Sequence, residues 1–246
     1  MTTLLHAGIL AHSMPGAARC FSRFCETGMA ALGEHEHPEV TLDCIPMGRS
    51  MTAWERGDLD AVRDILAVSA ERLARSGCDF FVCPDNTAHL ALERPGPDLP
   101  LPGLHIAEVV AAQAARQGSS RMGILGTSWT MESSLYPRAL AQHGIGTEIP
   151  GAVDRATVQR LTFAELTRGV FTEPTRDTFR DVIARLAERG CDTVALVCTE
   201  FPLLIAPGDS PLPTLESTTL IADAMAAVAL GEQPVPHWRG GPRAPV

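Results

Sequence analysis

The sequence predicts an α/β protein built from two pseudo-symmetric, doubly wound domains, each with a parallel sheet of about four strands. Three observations carry this. The first is an internal repeat: Gly77-Cys78-Asp79-Phe80-Phe81-Val82-Cys83-Pro84-Asp85 returns without a gap, 113 residues later, as Gly190-Cys191-Asp192-Thr193-Val194-Ala195-Leu196-Val197-Cys198. Gly8-Ile9-Leu10 returns as Gly123-Ile124-Leu125, and Asp98-Leu99-Pro100-Leu101-Pro102-Gly103-Leu104 as Asp209-Ser210-Pro211-Leu212-Pro213-Thr214-Leu215. Matches in the same order indicate two copies of one unit. The second observation is a series of short apolar runs without strict alternation, as strands buried on both faces require. The third is that stretches of helical period separate them, which makes right-handed crossovers and a parallel sheet.

In chain order, strands are expected at 4–10, 40–45, 80–83 and 104–106, and again at 122–125, 147–149, 194–198 and 214–215. Between them, residues 58–75 place Val62, Ile65, Leu66 and Leu73 on one helical stripe. Residues 178–189 place Phe179, Val182, Ile183 and Leu186 likewise. Helices over 105–116 and 216–230 follow the two Leu-Pro motifs, the first crossing into the second half and the last returning to complete the first. The expected domains are therefore 1–106 with 217–246, and 107–216. Cys20 and Cys25 share a helix face. The turn-rich segment from Glu232 reads as a surface tail.

A chain of 246 residues with 45% hydrophobic residues can bury one large core or two small ones, and the repeat selects two. A net charge of −9 argues against nucleic acid, whose phosphates need a basic face. All 20 basic residues are arginine, so a lysine Schiff base, and pyridoxal phosphate anchored through one, is excluded. The 7 cysteines form no C-x-x-C pair and fit a reducing cytoplasm. The N-terminus lacks a basic leader, and no apolar run is long enough to span a bilayer. These features lead to expectations of a cytoplasmic protein, no metal, no membrane and no nucleic acid, with a homodimer allowed. His35-Glu36-His37 has metal-like composition but no third ligand nearby, and reads as a surface loop.

In open parallel sheets, ligands bind beyond the C-terminal strand ends. Asp85-Asn86-Thr87 and Cys198-Thr199-Glu200 both follow buried strands and lead into turns, which places them at that edge. If a pseudo-two-fold axis relates the halves, Asp85 and Cys198 face each other across an interdomain cleft. Proton-transfer groups on both sides of a carbon are what inversion at that carbon needs. Asn86, Thr87 and Thr199, with local amides, can hold a carboxylate. Ser13 and Thr127 follow the first strand of each half and read either as ligand contacts or as helix N-caps. His89 reads as a satisfied helix-start residue rather than a base, and Cys83 as a core thiol.

Pro84-Asp85-Asn86-Thr87-Ala88-His89 and Cys198-Thr199-Glu200-Phe201-Pro202-Leu203-Leu204 resemble the two signature motifs of the aspartate/glutamate racemase superfamily, in its aspartate racemase-like branch. Gly123-Ile124-Leu125-Gly126-Thr127 with Thr130-Met131-Glu132-Ser133 and Tyr136, and Met14-Pro15-Gly16, are similar as well. The resemblance implies a cofactor-independent racemase or epimerase acting on an amino acid or related carboxylate, with a cysteine on each side of the α-carbon. Here the first of those cysteines is replaced by Asp85. The expected catalytic groups are therefore Asp85 and Cys198, the expected substrate contacts are Asn86, Thr87, Thr127, Thr199, Glu200 and Ser13, and the resemblance implies basic residues that bind a distal carboxylate near Arg49 and Arg168. The two arginines read equally as solvated surface residues. Two other readings stand beside inversion. One is a decarboxylase of a malonate-type substrate, since the related arylmalonate decarboxylase keeps only the second cysteine; the other is a catalytically silent carboxylate-binding protein.

Overall fold

The computed structural model describes residues 4–243, with the side chain of Pro207 left aside. Among them run β1 (Ala7–Ala11), α1 (Met14–Leu32), β2 (Val40–Cys44), α2 (Met51–Arg56), α3 (Leu59–Arg75), β3 (Phe80–Val82), α4 (Ala88–Leu92), β4 (Gly103–Leu104) and α5 (Ile106–Arg116). The second run comprises β5 (Arg121–Leu125), α6 (Ser128–Met131), α7 (Leu135–Ala141), β6 (Gly146–Glu148), α8 (Ala152–Ala164), α9 (Glu173–Glu188), β7 (Thr193–Leu196), α10 (Phe201–Leu204), β8 (Thr214–Glu216) and α11 (Ser217–Ala229). Two four-stranded parallel sheets result, with the orders β2-β1-β3-β4 and β6-β5-β7-β8. The sequence repeat is therefore a repeat of topology. The chain divides into two compact units: the described residues up to Val109 with those from Thr218 onward, and Val110–Ser217. No helix of the described residues is long and apolar enough to cross a membrane.

The strand residues of the first unit send side chains alternately to two separate cores. Ile9, Phe80 and Val82 pack with Phe24, Ile106, Ile221 and Met225 on one face, whereas Leu10, Phe81 and Cys83 pack with Val62, Leu66, Leu73 and Leu92 on the other. Both faces are covered, so both sets must be apolar, and that produces the unbroken runs in the sequence. Burying each large side chain contributes about 1.5–3 kcal/mol. In the second unit, Val194 and Leu196 of β7 pack with Phe179, Val182, Ile183 and Leu186 of α9.

The repeat also extends to the approach into β3 and β7. Gly77 and Gly190 take φ of 86° and 87°, left-handed values that glycine adopts without strain, and each reverses the chain after α3 or α9. Asp79 then accepts from the His6 amide at 2.8 Å, and Asp192 accepts from the Ser120 amide at 2.7 Å. The same carboxylate thus ties the start of the central strand to its neighbour in both units.

The structure corrects several expectations. β1 begins at Ala7 rather than residue 4, because the Leu5 amide donates to the Ala229 carbonyl at 3.0 Å instead of entering the sheet. α9 begins at Glu173, five residues before the expected start: the Thr172 hydroxyl accepts from the Thr175 amide, and Pro174 occupies the first turn, where its missing N–H costs nothing. Ile65 is half-buried while Val62, Leu66 and Leu73 are buried. Cys20 is buried and Cys25 half-buried.

The segment after α11 is not a loose tail. Gly103 of β4 donates to the Trp238 carbonyl at 2.7 Å, Leu99 to that of Arg239 at 2.8 Å, and Gly241 to that of Leu92 at 2.8 Å. Trp238 is 7% exposed. The segment covers the otherwise unpaired edge of β4 and drives an indole into the core.

Candidate active site

In the first unit the site is set by two adjacent strands. β1 and β3 pair in parallel with Ile9 opposite Val82. His12 and Asp85 each lie three residues beyond that pair, so the register brings them side by side at the C-terminal edge. His12 Nδ1 is 2.7 Å from Asp85 Oδ2. His12 Nε2 meets the Ser50 hydroxyl at 3.3 Å and receives the Trp54 indole N–H at 3.1 Å. Asp85 Oδ1 accepts from the Ala88 amide at 3.2 Å. Burial acts to raise the Asp85 pKa, but the His12 imidazole, the Ala88 amide and His89 outweigh it and hold the carboxyl below 3.8. For His12 burial acts downward, and the charge and hydrogen bond of Asp85 carry the net shift upward from 6.5.

The loop that carries Asp85 is fixed from behind. His89 Nδ1–H donates to the Asp85 carbonyl at 2.9 Å, and its Nε2 accepts from the Ile106 amide at 3.2 Å, satisfying an otherwise orphaned donor at the start of α5. Burial, assisted by His105, pushes the His89 pKa down to about 3. The ring is thus neutral and both its nitrogens are engaged, which makes it the satisfied helix-start residue expected from the sequence. Trp238 stacks on it with centroids 5.8 Å apart and planes 13° apart. Cys83 is buried, and its thiol pKa is pushed well up by burial and then by Asp85.

In the second unit β5 and β7 pair with Leu125 opposite Leu196, so Thr127 and Cys198 lie two residues beyond the last pair. Gly126 makes this approach feasible, since a Cβ there would meet Val197 Cγ2 at 2.6 Å. The Cys198 thiol donates to Glu200 Oε2 at 3.1 Å, and the Thr199 hydroxyl donates to the same oxygen at 2.7 Å. Cys198 is half-buried at the edge of its core. Cys20, Cys78, Cys83 and Cys191 are buried by comparison.

The remaining expected residues fall as follows. Asn86 and Thr199 are buried and Thr87 is half-buried. The Asn86 and Thr87 carbonyls accept from the His89 and Leu90 amides and so open α4. Ser13 and Thr127 occupy the N-cap positions of α1 and α6, without a side-chain capping bond. Thr127 Oγ1 lies 3.3 Å from Thr130 Oγ1. Arg49 and Arg168 are exposed at the ends of two 3-10 turns, Met47–Arg49 and Leu166–Arg168. Glu200, expected as a substrate contact, is turned toward Cys198 and Thr199. The sequence reading passed over His12, Ser50 and Trp54. His12 had one available signal, being the first polar residue beyond a buried strand adjacent to β3.

A family model described as Asp/Glu/hydantoin racemase matches residues 15–228. The chain is 22% identical over 210 residues to the broad specificity amino-acid racemase RacX of Bacillus subtilis, covering 85% of this chain and 90% of that protein. It is 30% identical over 178 residues to the glutamate racemase of Ectopseudomonas mendocina, a match that covers 68% of this chain but only 62% of that racemase. A crystal structure from Yersinia pestis, assigned by its name to the Asp/Glu racemases, superposes with a TM-score of 0.82 at 29% identity, covering 92% of this chain and 100% of that one.

Proposed function

The chain belongs to the Asp/Glu/hydantoin racemase family and is an isomerase, and from that premise we propose that it inverts the α-carbon of an amino acid or related carboxylate without a cofactor. Asp85 and Cys198 are the two proton-transfer groups, one for each face of the α-carbon. The observation that carries the reading is their equivalence: each follows the central strand of its own sheet, β3 or β7, in sheets of the same order. Inversion needs a proton removed from one face and returned to the other, so it needs two such groups. Each has a polar partner on its own unit, His12 for Asp85 and Glu200 for Cys198.

Asn86, Thr87, Thr127 and Thr199, with neighbouring amides, are the proposed cradle for the α-carboxylate, with Ser13 beside them. Negative charge that develops as the α-proton leaves is stabilised by such preorganised donors. Arg49 and Arg168 are assigned to a distal carboxylate where the substrate has one. The similarity to a broad specificity racemase and to a glutamate racemase supports amino acids as the substrate class. Incubation in D₂O with single enantiomers of an amino-acid panel tests the reading. Deuterium at the α-position together with loss of optical purity is the expected result; retention of α-hydrogen and configuration in every substrate contradicts it.

A further inference from the structure

His12 lies between groups that make opposite demands on its Nε2. The Trp54 indole is a donor only, and at 3.1 Å it requires a lone pair on that nitrogen. The Ser50 hydroxyl, 3.3 Å from the same atom, gives its own proton to the Met47 carbonyl at 2.9 Å. Its lone pairs are therefore left to receive a proton from Nε2. On the other side of the ring, Nδ1 is engaged with Asp85 Oδ2. Nε2 can thus rest as a lone pair that accepts from Trp54, with the ring proton on Nδ1, or carry a proton that Ser50 accepts, and in both cases it has a partner. Trp54 is half-exposed, so its N–H can turn to water when Nε2 is protonated.

Resting on the racemase reading above, we propose that His12 and Asp85 form one composite acid–base unit that stands in for a thiol on their face of the substrate, with Ser50 and Trp54 setting how readily the ring is loaded. A lone carboxylate can accept an α-proton but holds none at neutral pH to return. The loaded pair does hold one. The Nδ1 proton passes to Asp85, whose carboxyl gives that same proton on to the carbanion; Asp85 is left ionised and the ring neutral, with its remaining proton on Nε2 donated to Ser50 while the Trp54 N–H faces water. Abstraction is the same sequence reversed. Each passage moves one proton and no electrons, and exchange of one proton with solvent, taken up after donation and released after abstraction, returns the ring to its starting form. The upward shift of His12 caused by Asp85 is in the direction the unit needs.

The neighbouring groups do not supply the proton themselves. His89 is held neutral, Cys83 is held protonated, and Ser50 and Trp54 carry no charge. The orientation of the pair also follows from the geometry: the Nε2 end of the ring is occupied by Trp54 and Ser50, and Asp85 is the more exposed member, at 12% against 6% for the His12 side chain, so Asp85 is the end assigned to the substrate.

¹⁵N NMR of histidine-labelled full-length protein, titrated from about pH 5 to 9 across the range set by imidazole, tests the unit without reference to turnover. The His12 midpoint should lie above 6.5, fall in Asp85→Asn and Ser50→Ala, and rise in Trp54→Phe. A midpoint at or below 6.5 that ignores Asp85→Asn overturns the proposal. Turnover supplies the second arm. His12→Asn keeps an N–H for Asp85 but cannot take a second proton. Its racemisation at pH 7 should fall by at least about a hundredfold and recover toward acidic pH, where Asp85 itself can hold a proton. Wild-type rate and pH profile in His12→Asn overturn the proposal. An expected titration in a wild-type protein that racemises nothing would retain the His12–Asp85 chemistry and reject the racemase reading.

Discussion

His12 Nδ1 lies 2.7 Å from Asp85 Oδ2, a pairing created by two parallel strands that end side by side. It makes stability depend on pH in two directions. The Asp85 pKa is depressed in the fold, so its contribution is present above 3.8 and is lost as pH falls through the folded value. That of His12 is raised, so its contribution is present below 6.5 and is lost as pH rises through the folded value. The stability difference between wild type and Asp85→Asn should therefore peak between those limits, at about 1.5–3 kcal/mol for hydrogen bonds to a charged group. Urea unfolding midpoints measured across the pH range check the shape. A difference that is flat with pH rejects the pairing.

Cys198→Ser should lower turnover by at least about a hundredfold, because a hydroxyl is too weak an acid to replace a positioned thiol. Glu200→Gln keeps an oxygen for the thiol and for Thr199, so the loss should be smaller, about tenfold, whereas Glu200→Ala should approach the cysteine variant. Steady-state rates by chiral chromatography decide; equal activity in all three removes this pair from the mechanism.

Trp238→Ala should cost about 3–5 kcal/mol, as removal of a buried indole does. Trp238 also stacks on His89, which holds the Asp85 carbonyl, so the variant should lose turnover beyond what its unfolded fraction explains. Calorimetry and rate measurements on the same preparation separate the two effects. A variant with wild-type melting and wild-type turnover would show that the C-terminal segment braces nothing.

Arg49→Gln and Arg168→Gln should each raise KM for a dicarboxylic amino acid while leaving kcat within about threefold, since a group that binds substrate and transition state alike changes only KM. Substrates without a distal carboxylate should be insensitive. Unchanged KM for every substrate would return both arginines to the solvated surface.

The fold was legible because burial on both sheet faces leaves its mark on composition. Strand β3 alternates between two apolar layers, every residue of β7 is buried, and the repeat carries the strand order from one unit to the other. Lengths at the edges were less legible. The outward path of Leu4 and Leu5 depends on a bond to Ala229, and the early start of α9 depends on Pro174 occupying the first turn. Of the 19-residue α1 only the helix face shared by Cys20 and Cys25 was legible, and its extent was not, in part because Gly28 interrupts the pattern; a Cβ there would meet His37 at 2.6 Å. Asp85 and Cys198 stood out as unlike residues at equivalent positions. His12, Ser50 and Trp54 did not, because only strand register and the path of α2 bring them together. The burial of Trp238 likewise depends on pairing with Gly103, 135 residues earlier in the chain.

The most direct measurement follows α-proton exchange into D₂O from each enantiomer separately, in Asp85→Asn and in Cys198→Ser. With one proton-transfer group left, a carbanion formed on one face can only be reprotonated on that face, so each variant should exchange one enantiomer with retention and racemise neither. The account predicts opposite choices: Cys198→Ser washes out the enantiomer whose proton faces Asp85, and Asp85→Asn washes out the other. The same enantiomer exchanging in both variants, or undiminished inversion in either, contradicts it.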